Sequence, residues 1–221
     1  FDVAPMAIEA GALLVATADP SQPEVLSHLR FAAGGRPVVL CIAAPEDVEA
    51  LTSFAIVGNT RWTIEARVLA EALCDDGQRL LALNEIFVGH ISHQSARYRL
   101  RAGETEERHS SSGVIVATGT GATGWTRSIV KQRGLELALP AVDEPRLAWF
   151  VREPWPSVAT AASLDVGAVD AHTALSLTSE MSEGGVIFAD GIETDRIDFV
   201  SGRRVQLRIA ERRLNLVVPA G

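Results

Sequence analysis

Hydrophobic and polar positions in the first sixty or so residues alternate between short apolar runs and amphipathic stretches. Residues 12–16 and 37–43 are apolar runs bounded by turn residues, a pattern typical of buried strands. After the first run, Ser21 and Glu24 form an S-x-x-E capping box, which predicts the start of a helix. A second helix is predicted over residues 45–53, where a proline is followed by acidic residues. This order predicts parallel strands with helices packed against them.

The pattern changes after about residue 60, where apolar and polar residues alternate from Trp62 to Ala70 as in a half-buried strand. One helix is predicted near residues 125–133, and turn residues separate many of the remaining segments. Further strands are predicted at residues 79–89, 96–102, 113–118, 146–151, 173–179, 185–189, 197–200, 204–209 and 213–218. Many short strands with such turns favour antiparallel sheets in a sandwich.

These elements together predict an α/β plus β fold. A small Rossmann-like α/β portion, residues 1–58, is followed by an antiparallel β-sandwich domain, residues 59–221. The last strand is a candidate to return to the first domain.

Composition narrows the classes of partner. The net charge of -8 argues against a nucleic-acid partner, since such affinity comes mainly from basic side chains. Cys41 and Cys74 form neither a metal spacing nor a disulfide framework. No apolar run approaches the roughly 20 residues that span a bilayer, so no membrane partner is predicted. The chain starts at Phe1 without a signal-like segment; cytoplasm is the default location, and a missing native N-terminus is one interpretation.

The most informative segment is a Gly/Thr-rich loop between a predicted strand and a predicted helix. It contains G-x-G-x-x-G at Gly119, Gly121 and Gly124. Small residues let a ligand approach the backbone, and the following helix offers free N–H groups. The loop has three interpretations: a Rossmann dinucleotide loop, a plain structural turn, or a ligand-binding loop of another kind. The antiparallel surroundings disfavour the Rossmann loop.

Three other positions carry candidate chemistry. Asn84 and Glu85 lie inside an apolar segment, where they are either a solvated strand end or a pair that hydrogen-bonds a ligand. Asp19 follows the first strand and could accept a proton from a hydroxyl nucleophile, or simply precede Pro20 in a turn. Asp190 with its following glycine is most simply a hairpin turn.

The histidines predict no metal site. His90 and His93 are three residues apart, so their side chains point to opposite faces of a strand, and His109 is predicted in a polar loop. Trp149 and Trp155 are predicted to be core or interface residues.

Taken in order, these segments resemble the NAD kinase family. Ala82–Glu85 looks like the family's A-x-N-E strand, and residues 112–125 look like its D-G-L-I-V-S-T-P-T-G-S-T-A-Y loop. Residues 188–191 look like its later D-G segment. The likeness extends from about Thr60 to the end of the chain, and it rests on the ordered set rather than on one motif.

The resemblance implies an α/β nucleotide domain that binds the phosphate donor and a β-sandwich that binds the dinucleotide. It implies transfer of a phosphoryl group from ATP, or from polyphosphate, to the ribose 2′-hydroxyl of NAD with Mg²⁺, in a homo-oligomer such as a dimer or tetramer. Asp19 would be the catalytic base. The residues that would bind the dinucleotide are Asn84, Glu85, Thr118, Thr120, Thr123, Gly124, Trp125 and Asp190.

The sequence departs from the family in its phosphate half. The family's G-G-D-G motif is degenerate here, since the equivalent strand end is Thr17-Ala18-Asp19-Pro20. Proline has no N–H to give to a phosphate and fixes its φ angle. Ser112 stands where the family has Asp. These departures favour two alternatives to an NAD kinase: a non-catalytic nucleotide-binding pseudokinase, or a kinase of the same superfamily that acts on another hydroxyl. A Rossmann oxidoreductase is a more distant alternative.

Overall fold

A computed structural model describes residues 3–9, 11–20, 29–30, 33, 37–48 and 62–219. The chain divides into two compact units. Unit 1 comprises Phe1–Arg67 and Leu214–Gly221, and unit 2 comprises Val68–Arg213. No helix among the described residues is long and apolar enough to cross a membrane.

The described strands of unit 1 belong to a nine-stranded sheet, and both pairing directions occur among them. Its first strands are β1 (Val3–Glu9), β2 (Ala12–Thr17) and β3 (Val38–Ile42). Strands β1 and β2 pair antiparallel, whereas β2 and β3 pair parallel, as the strand–helix–strand pattern predicts. Residues 45–48 are helical, and the predicted helix from Ser21 lies largely outside the described residues, of which 29–30 are helical. Apolar side chains of these strands form the core of the unit.

Unit 2 contains two sheets, and we name the first sheet I. Its strands are ordered β15-β12-β7-β8, and β4 pairs with β15 and with β5. Their bounds are β4 (Trp62–Cys74), β5 (Arg79–Ala82), β7 (Ala96–Ala102), β8 (Thr105–Ser111), β12 (Leu175–Ser179) and β15 (Arg204–Pro219). The ends of β4 and β15 belong to unit 1, where β15 pairs parallel with β3.

The second sheet, sheet II, has the order β11-β10-β9-β6-β13-β14. Its strands are β6 (Glu85–His90), β9 (Val114–Ala117), β10 (Leu147–Val151), β11 (Val166–Val169), β13 (Gly185–Ala189) and β14 (Arg196–Asp198). Every pairing within it is antiparallel. The helix α1 (Trp125–Arg133) packs Ile129 and Val130 against an apolar cluster that includes Phe87 and Phe150 of this sheet.

Side chains from both sheets form one continuous core in unit 2. Tyr98 and Leu177 of sheet I and Val116 and Ile187 of sheet II belong to the same buried cluster. The alternation of buried and exposed residues along β7 shows how this core follows from the sequence, because successive side chains of a strand point to opposite faces. Sheet II is held in place by apolar contacts on this inward face.

The expected class is confirmed in its general form, since the described residues form a mostly-sheet α/β fold with two sheets. One predicted strand was wrong, because residues 79–89 form two strands that are interrupted at Leu83 and Asn84. The strands β1, β8 and β11 were not predicted, and the two predicted strands at the C-terminus are one long strand, β15. The interruption after β5 is the difference that matters for the site, since the backbone N–H groups there bind a carboxylate instead of a neighbouring strand.

Candidate functional site

The carboxylate of Asp190 binds the backbone of the segment that contains Asn84 and Glu85. Its Oδ2 accepts a hydrogen bond from the Leu83 N–H at 2.8 Å. Its Oδ1 accepts from the N–H groups of Asn84 at 2.7 Å and of Glu85 at 3.2 Å. Three donors on one carboxylate satisfy the N–H groups that the interruption between β5 and β6 removes from the sheet. We call this arrangement the Asp190 clamp.

The turn that carries Asp190 orients its side chain. The φ angles of Asp190 and Gly191 are +52° and +73°, and the Ile192 N–H donates to the Ala189 carbonyl at 2.9 Å. Positive φ at both central residues is the type I′ turn that an Asp-Gly pair favours, so the predicted turn is confirmed. The Asp190 N–H also donates to the Glu85 carbonyl at 2.9 Å. Turn and carboxylate therefore bind the same segment.

Thr118 binds that segment from another direction. This residue is fully buried at the end of β9. Its hydroxyl donates to the Leu83 carbonyl at 2.5 Å, and its N–H donates to the Asn84 carbonyl at 2.9 Å. The same hydroxyl oxygen accepts from the N–H groups of Thr120 at 3.1 Å and Gly121 at 3.2 Å. One side chain thus joins the Asn84–Glu85 segment to the start of the Gly/Thr-rich loop.

The three glycines of the loop differ in their surroundings. A Cβ atom on Gly119 would lie 1.9 Å from the Ala141 carbonyl oxygen, and one on Gly121 would lie 2.2 Å from the Asn84 carbonyl oxygen. The backbone that approaches these two glycines is therefore the protein's own, whereas the sequence suggested a ligand. A Cβ on Gly124 would meet only the Gly121 carbonyl oxygen, at 3.9 Å, and Gly124 is exposed. Gly124 is the glycine whose surroundings leave room for a ligand.

The side chains of Asn84 and Glu85 are available to bind a ligand, while other residues hold their backbone. Both are half-buried, and neither makes a side-chain hydrogen bond within the part of the chain that the structure describes. Burial raises the pKa of the Glu85 carboxyl, and the negative charge of Asp190 raises it further. An amide and a carboxyl that lack protein partners in a partly dry position are suited to hydrogen-bond a polar ligand.

Hydroxyl groups continue along the loop into the helix. Thr123 is exposed, and its hydroxyl donates to the Thr120 carbonyl at 3.1 Å. The buried hydroxyl oxygens of Thr120 and Thr126 have no hydrogen-bond partner among the described residues. Gly124 precedes the helix and gives it no side-chain cap. Thr126 was not among the predicted site residues, since a threonine inside a predicted helix carries no signal of its own.

Trp125 is the exposed end of an aromatic stack. Its ring is nearly parallel to that of Phe87, at an interplanar angle of 13° and a centroid distance of 6.2 Å. Phe87 stacks in turn on Phe188, with centroids 4.9 Å apart. The indole is 38% exposed, so it presents an apolar surface directly after Gly124. The structure thus brings together in unit 2 every predicted dinucleotide-binding residue.

The predicted base, Asp19, lies in unit 1. It is exposed just beyond the end of β2, where its N–H donates to the Thr17 hydroxyl oxygen at 3.2 Å. The hydroxyl of Thr17 is also within 3.3 Å of the Asp19 carbonyl oxygen. A short turn closed by a threonine side chain places Asp19 at the carboxyl end of a parallel strand, which is where ligands bind in open α/β sheets.

His109 is not in a loop and Trp155 is not in the core, so the interface prediction for Trp155 remains. His109 belongs to β8 and is fully buried, stacked on Tyr98 at 5.6 Å between centroids, because the alternation of β8 turns it into the core. Burial lowers its pKa and outweighs the opposing effect of Glu107. Trp149 is in the core, as predicted, whereas Trp155 is 70% exposed within unit 2.

A groove of about 580 Å³ lies away from these residues, along the polar face of sheet I. Arginines dominate its lining: Arg99, Arg101 and Arg204. Their charges are partly balanced, since Arg99 pairs with Glu180 and Arg204 pairs with Asp75, at 3.1 and 3.3 Å. None of the predicted site residues lines this groove. The candidate site is therefore defined by the convergence of the Asp190 clamp, Thr118 and the loop.

Comparison with known proteins shows which fold this chain resembles. The MshEN domain matches residues 1–53, which include none of the candidate residues of unit 2. No curated protein matches the chain in sequence. A crystal structure of yeast NADH kinase complexed with NADH matches with a TM-score of 0.56 and 15% sequence identity, over 82% of this chain and 54% of that chain. The present chain thus spans about half the length of that kinase, and its fold is NAD kinase-like.

Proposed function

We propose that this protein is an NAD kinase-like phosphotransferase that moves a phosphoryl group from ATP, or from polyphosphate, to the 2′-hydroxyl of NAD. One observation carries the proposal. Asn84 and Glu85 present polar side chains that have no hydrogen-bond partner among the described residues, from a backbone held by Asp190 and Thr118 beside a Gly/Thr-rich loop. The structural likeness to yeast NADH kinase supports the same ligand class.

The residues of unit 2 divide into those that contact the dinucleotide and those that hold the contacting residues. The Glu85 carboxylate accepts hydrogen bonds from ligand hydroxyls, and the Asn84 amide can both donate and accept. Gly124 and Trp125 border the ligand, together with the hydroxyls of Thr120 and Thr123. Asp190 and Thr118 act mainly by fixing the backbone, because their polar atoms already bind main-chain groups.

Asp19 is the proposed general base. Its carboxylate takes the proton of the acceptor hydroxyl as the new O–P bond forms, and the bond to the leaving phosphate of the donor breaks. No group of three or more His, Cys, Asp and Glu side chains is placed to hold a metal ion within the described residues. Mg²⁺ in phosphoryl transfer is commonly held by substrate phosphates, water and one or two carboxylates. The proposal therefore includes Mg²⁺ with the phosphate donor and assigns it no protein site.

Two alternatives rest on the degenerate phosphate loop. Pro20 directly follows Asp19, where the resembled family has glycine. A pseudokinase would bind the dinucleotide and transfer nothing. A kinase with another acceptor would transfer phosphate to a hydroxyl with which NAD does not compete. The resemblance also suggests a homo-oligomer, which sedimentation velocity would test.

The first test is calorimetric titration with NAD, NADP and ATP in the presence of Mg²⁺, using wild type and Asn84→Ala. Wild type is expected to bind NAD, and the variant is expected to bind it at least about tenfold more weakly, the effect of losing one or two buried hydrogen bonds. Gln94→Ala, on an exposed loop of unit 2, is the matched control. ATP binding without NAD binding would favour another acceptor, and NAD binding without transfer from any donor would favour the pseudokinase.

A further inference from the structure

Arg152 places a positive charge against the exposed end of the aromatic stack. Its guanidinium carbon lies 4.9 Å from the centroid of the Trp125 ring, within the range of a cation–π contact. The residue follows β10 directly, and nothing in its sequence context marks it as a site residue. Its position beside Trp125 makes it a neighbour of the proposed dinucleotide site.

The aromatic surface that Arg152 contacts is closely packed against the protein. The Phe87 ring lies against the backbone of Gly89 and Gly113. A Cβ atom on Gly89 would come within 2.3 Å of that ring, and a Cβ atom on Gly113 would come within 2.7 Å of it. Gly113 also has a φ of +106°, which favours glycine. Packing thus fixes Phe87, and Phe87 supports Trp125 by parallel stacking. The ring that faces Arg152 has a defined orientation.

The backbone of Arg152 is fixed as well. Its N–H donates to the Gly113 carbonyl at 2.8 Å, and its carbonyl accepts from the Ser112 N–H at 2.9 Å. The chain then turns sharply, since Glu153 has a φ of +39°. The side chain therefore starts from a defined point and reaches a defined aromatic surface.

The charge of Arg152 is poorly compensated. Its side chain is 30% exposed, so part of its hydration is lost. The carboxylate paired with it is that of Glu153, at 3.7 Å, and that side chain is 68% exposed. Its guanidinium donates no hydrogen bond to any residue that the structure describes. A partly desolvated guanidinium with unused N–H groups is suited to bind a phosphate, which takes two parallel hydrogen bonds from it.

We propose that Arg152 binds a phosphate group of the nucleotide ligand whose remainder lies against Trp125 and the Gly/Thr-rich loop. This inference rests on the proposed function and adds to it a residue that supplies positive charge. The other ionisable side chains of the proposed site, Glu85 and Asp190, are acidic, so Arg152 supplies the positive charge that suits an anionic ligand. Arg152 is thus a ligand-binding residue for the anionic part of the substrate.

The test compares ligands with and without phosphate. Wild type, Arg152→Met and Arg152→Lys are titrated with NAD, adenosine and inorganic pyrophosphate, by calorimetry and by tryptophan fluorescence. Arg152→Met is expected to lower the affinities for NAD and for pyrophosphate at least about tenfold, because a charge-assisted hydrogen bond is lost. The affinity for adenosine should stay within about twofold of the wild-type value. Arg152→Lys should fall between, since it keeps the charge and loses the planar fork. Trp125→Phe should abolish the fluorescence response to pyrophosphate.

Arg204→Met, a matched change in sheet I, should leave all three affinities unchanged. Equal weakening of NAD and adenosine by Arg152→Met would overturn the inference, because it would indicate a structural role. Unchanged NAD and pyrophosphate affinities would overturn it and leave the proposed function intact. If wild type bound pyrophosphate through Arg152 but did not bind NAD, the anion site would stand and the proposed function would fall. Failure to bind either ligand would overturn both.

Discussion

At the residue scale, the Asp190 carboxylate holds the backbone of the candidate site. Three main-chain N–H groups donate to its carboxylate, and its own N–H donates to the Glu85 carbonyl. Its negative charge nevertheless acts on the site through space, since it raises the pKa of Glu85 in addition to the effect of burial. The role of this carboxylate is to hold and to polarise the segment that carries Asn84 and Glu85.

The raised pKa of Glu85 gives a stability prediction. The folded protein holds this proton more tightly than the unfolded chain, whose pKa is near the ordinary value of 4.5. As the pH rises above that value through the folded pKa, ionisation of Glu85 lowers the free energy of unfolding. Glu85→Gln removes this penalty, so its stability relative to wild type should be greater at about pH 7 than at about pH 4. The difference should stay below about 1 kcal/mol because Glu85 is only half-buried.

Urea denaturation of both proteins at the two pH values measures this difference. Glu104→Gln, at an exposed position in the turn between β7 and β8, is the control. A Glu85→Gln protein whose relative stability does not change with pH, or changes in the opposite direction, would contradict the assignment.

Residue chemistry in the sequence was enough to find Asn84 and Glu85, because polar residues inside an apolar segment need partners. It was not enough to find what holds them. The partner carboxylate of Asp190 is more than a hundred positions away along the chain, and its Asp-Gly pair is fully explained by the turn it forms. Arg152 and Phe87 likewise become site residues only through contacts with Trp125 that no local pattern announces.

At the scale of elements, the three glycines of the Gly/Thr-rich loop differ, since two are needed for packing and one is open to the proposed ligand. Gly119 and Gly121 are required by contacts with Ala141 and Asn84, whereas Gly124 faces open space at the start of α1. The motif is therefore not a uniform phosphate loop. Its first glycines fit the loop against neighbouring segments, and its last leaves an approach to the helix.

Alanine substitutions should separate these two roles. Gly121→Ala forces its Cβ against the Asn84 carbonyl, so it should destabilise the protein by about 1–3 kcal/mol and weaken NAD binding at least about tenfold. Gly124→Ala has an ordinary φ of -103° and no close neighbour. It should destabilise the protein by no more than about 1 kcal/mol, the difference between Gly and Ala at a helix N-cap, and still weaken NAD binding severalfold. Thermal denaturation and calorimetry measure the two effects.

Equal loss of stability in both variants would contradict the distinction between packing and binding glycines. Full NAD affinity in Gly124→Ala would show that the ligand does not approach the backbone there.

Helices and strands with a strong hydrophobic periodicity were predictable from the sequence. Strands that form because they pair with a neighbouring strand were not. The helix Trp125–Arg133 and the strands β7 and β13 lie where their patterns place them. Strand β8 has a polar sequence, and it forms because every residue of it pairs with β7 across a short turn. Burial of His109 follows from that pairing, which residue composition does not reveal.

At the scale of the whole molecule, the chain carries its candidate chemistry in two units. The proposed dinucleotide-binding residues all belong to unit 2, and Asp19 belongs to unit 1. Unit 1 begins at the N-terminus, and residues 214–221 also belong to it, so two strands pass between the units. The order of motifs predicted the NAD kinase-like fold, because a set of segments in sequence constrains topology more strongly than any one of them. The predicted chemistry is left to experiment, because Thr17-Ala18-Asp19-Pro20 lacks the glycines of the G-G-D-G motif that it resembles.

This division gives a prediction that separates binding from transfer. Asp19→Asn removes the proposed base and leaves unit 2 unchanged. If Asp19 accepts the proton of the acceptor hydroxyl, the rate of transfer to NAD should fall about 10²–10⁴-fold, the usual contribution of a general base. NAD affinity, measured by calorimetry, should stay within about twofold. Glu46→Gln, another exposed acidic residue of unit 1, is the matched control and should retain the wild-type rate. An Asp19→Asn protein that transfers phosphate as fast as wild type would exclude Asp19 as the base. Lost NAD affinity would instead indicate a binding role, because a general base acts on the reacting hydroxyl and contributes little to ground-state affinity.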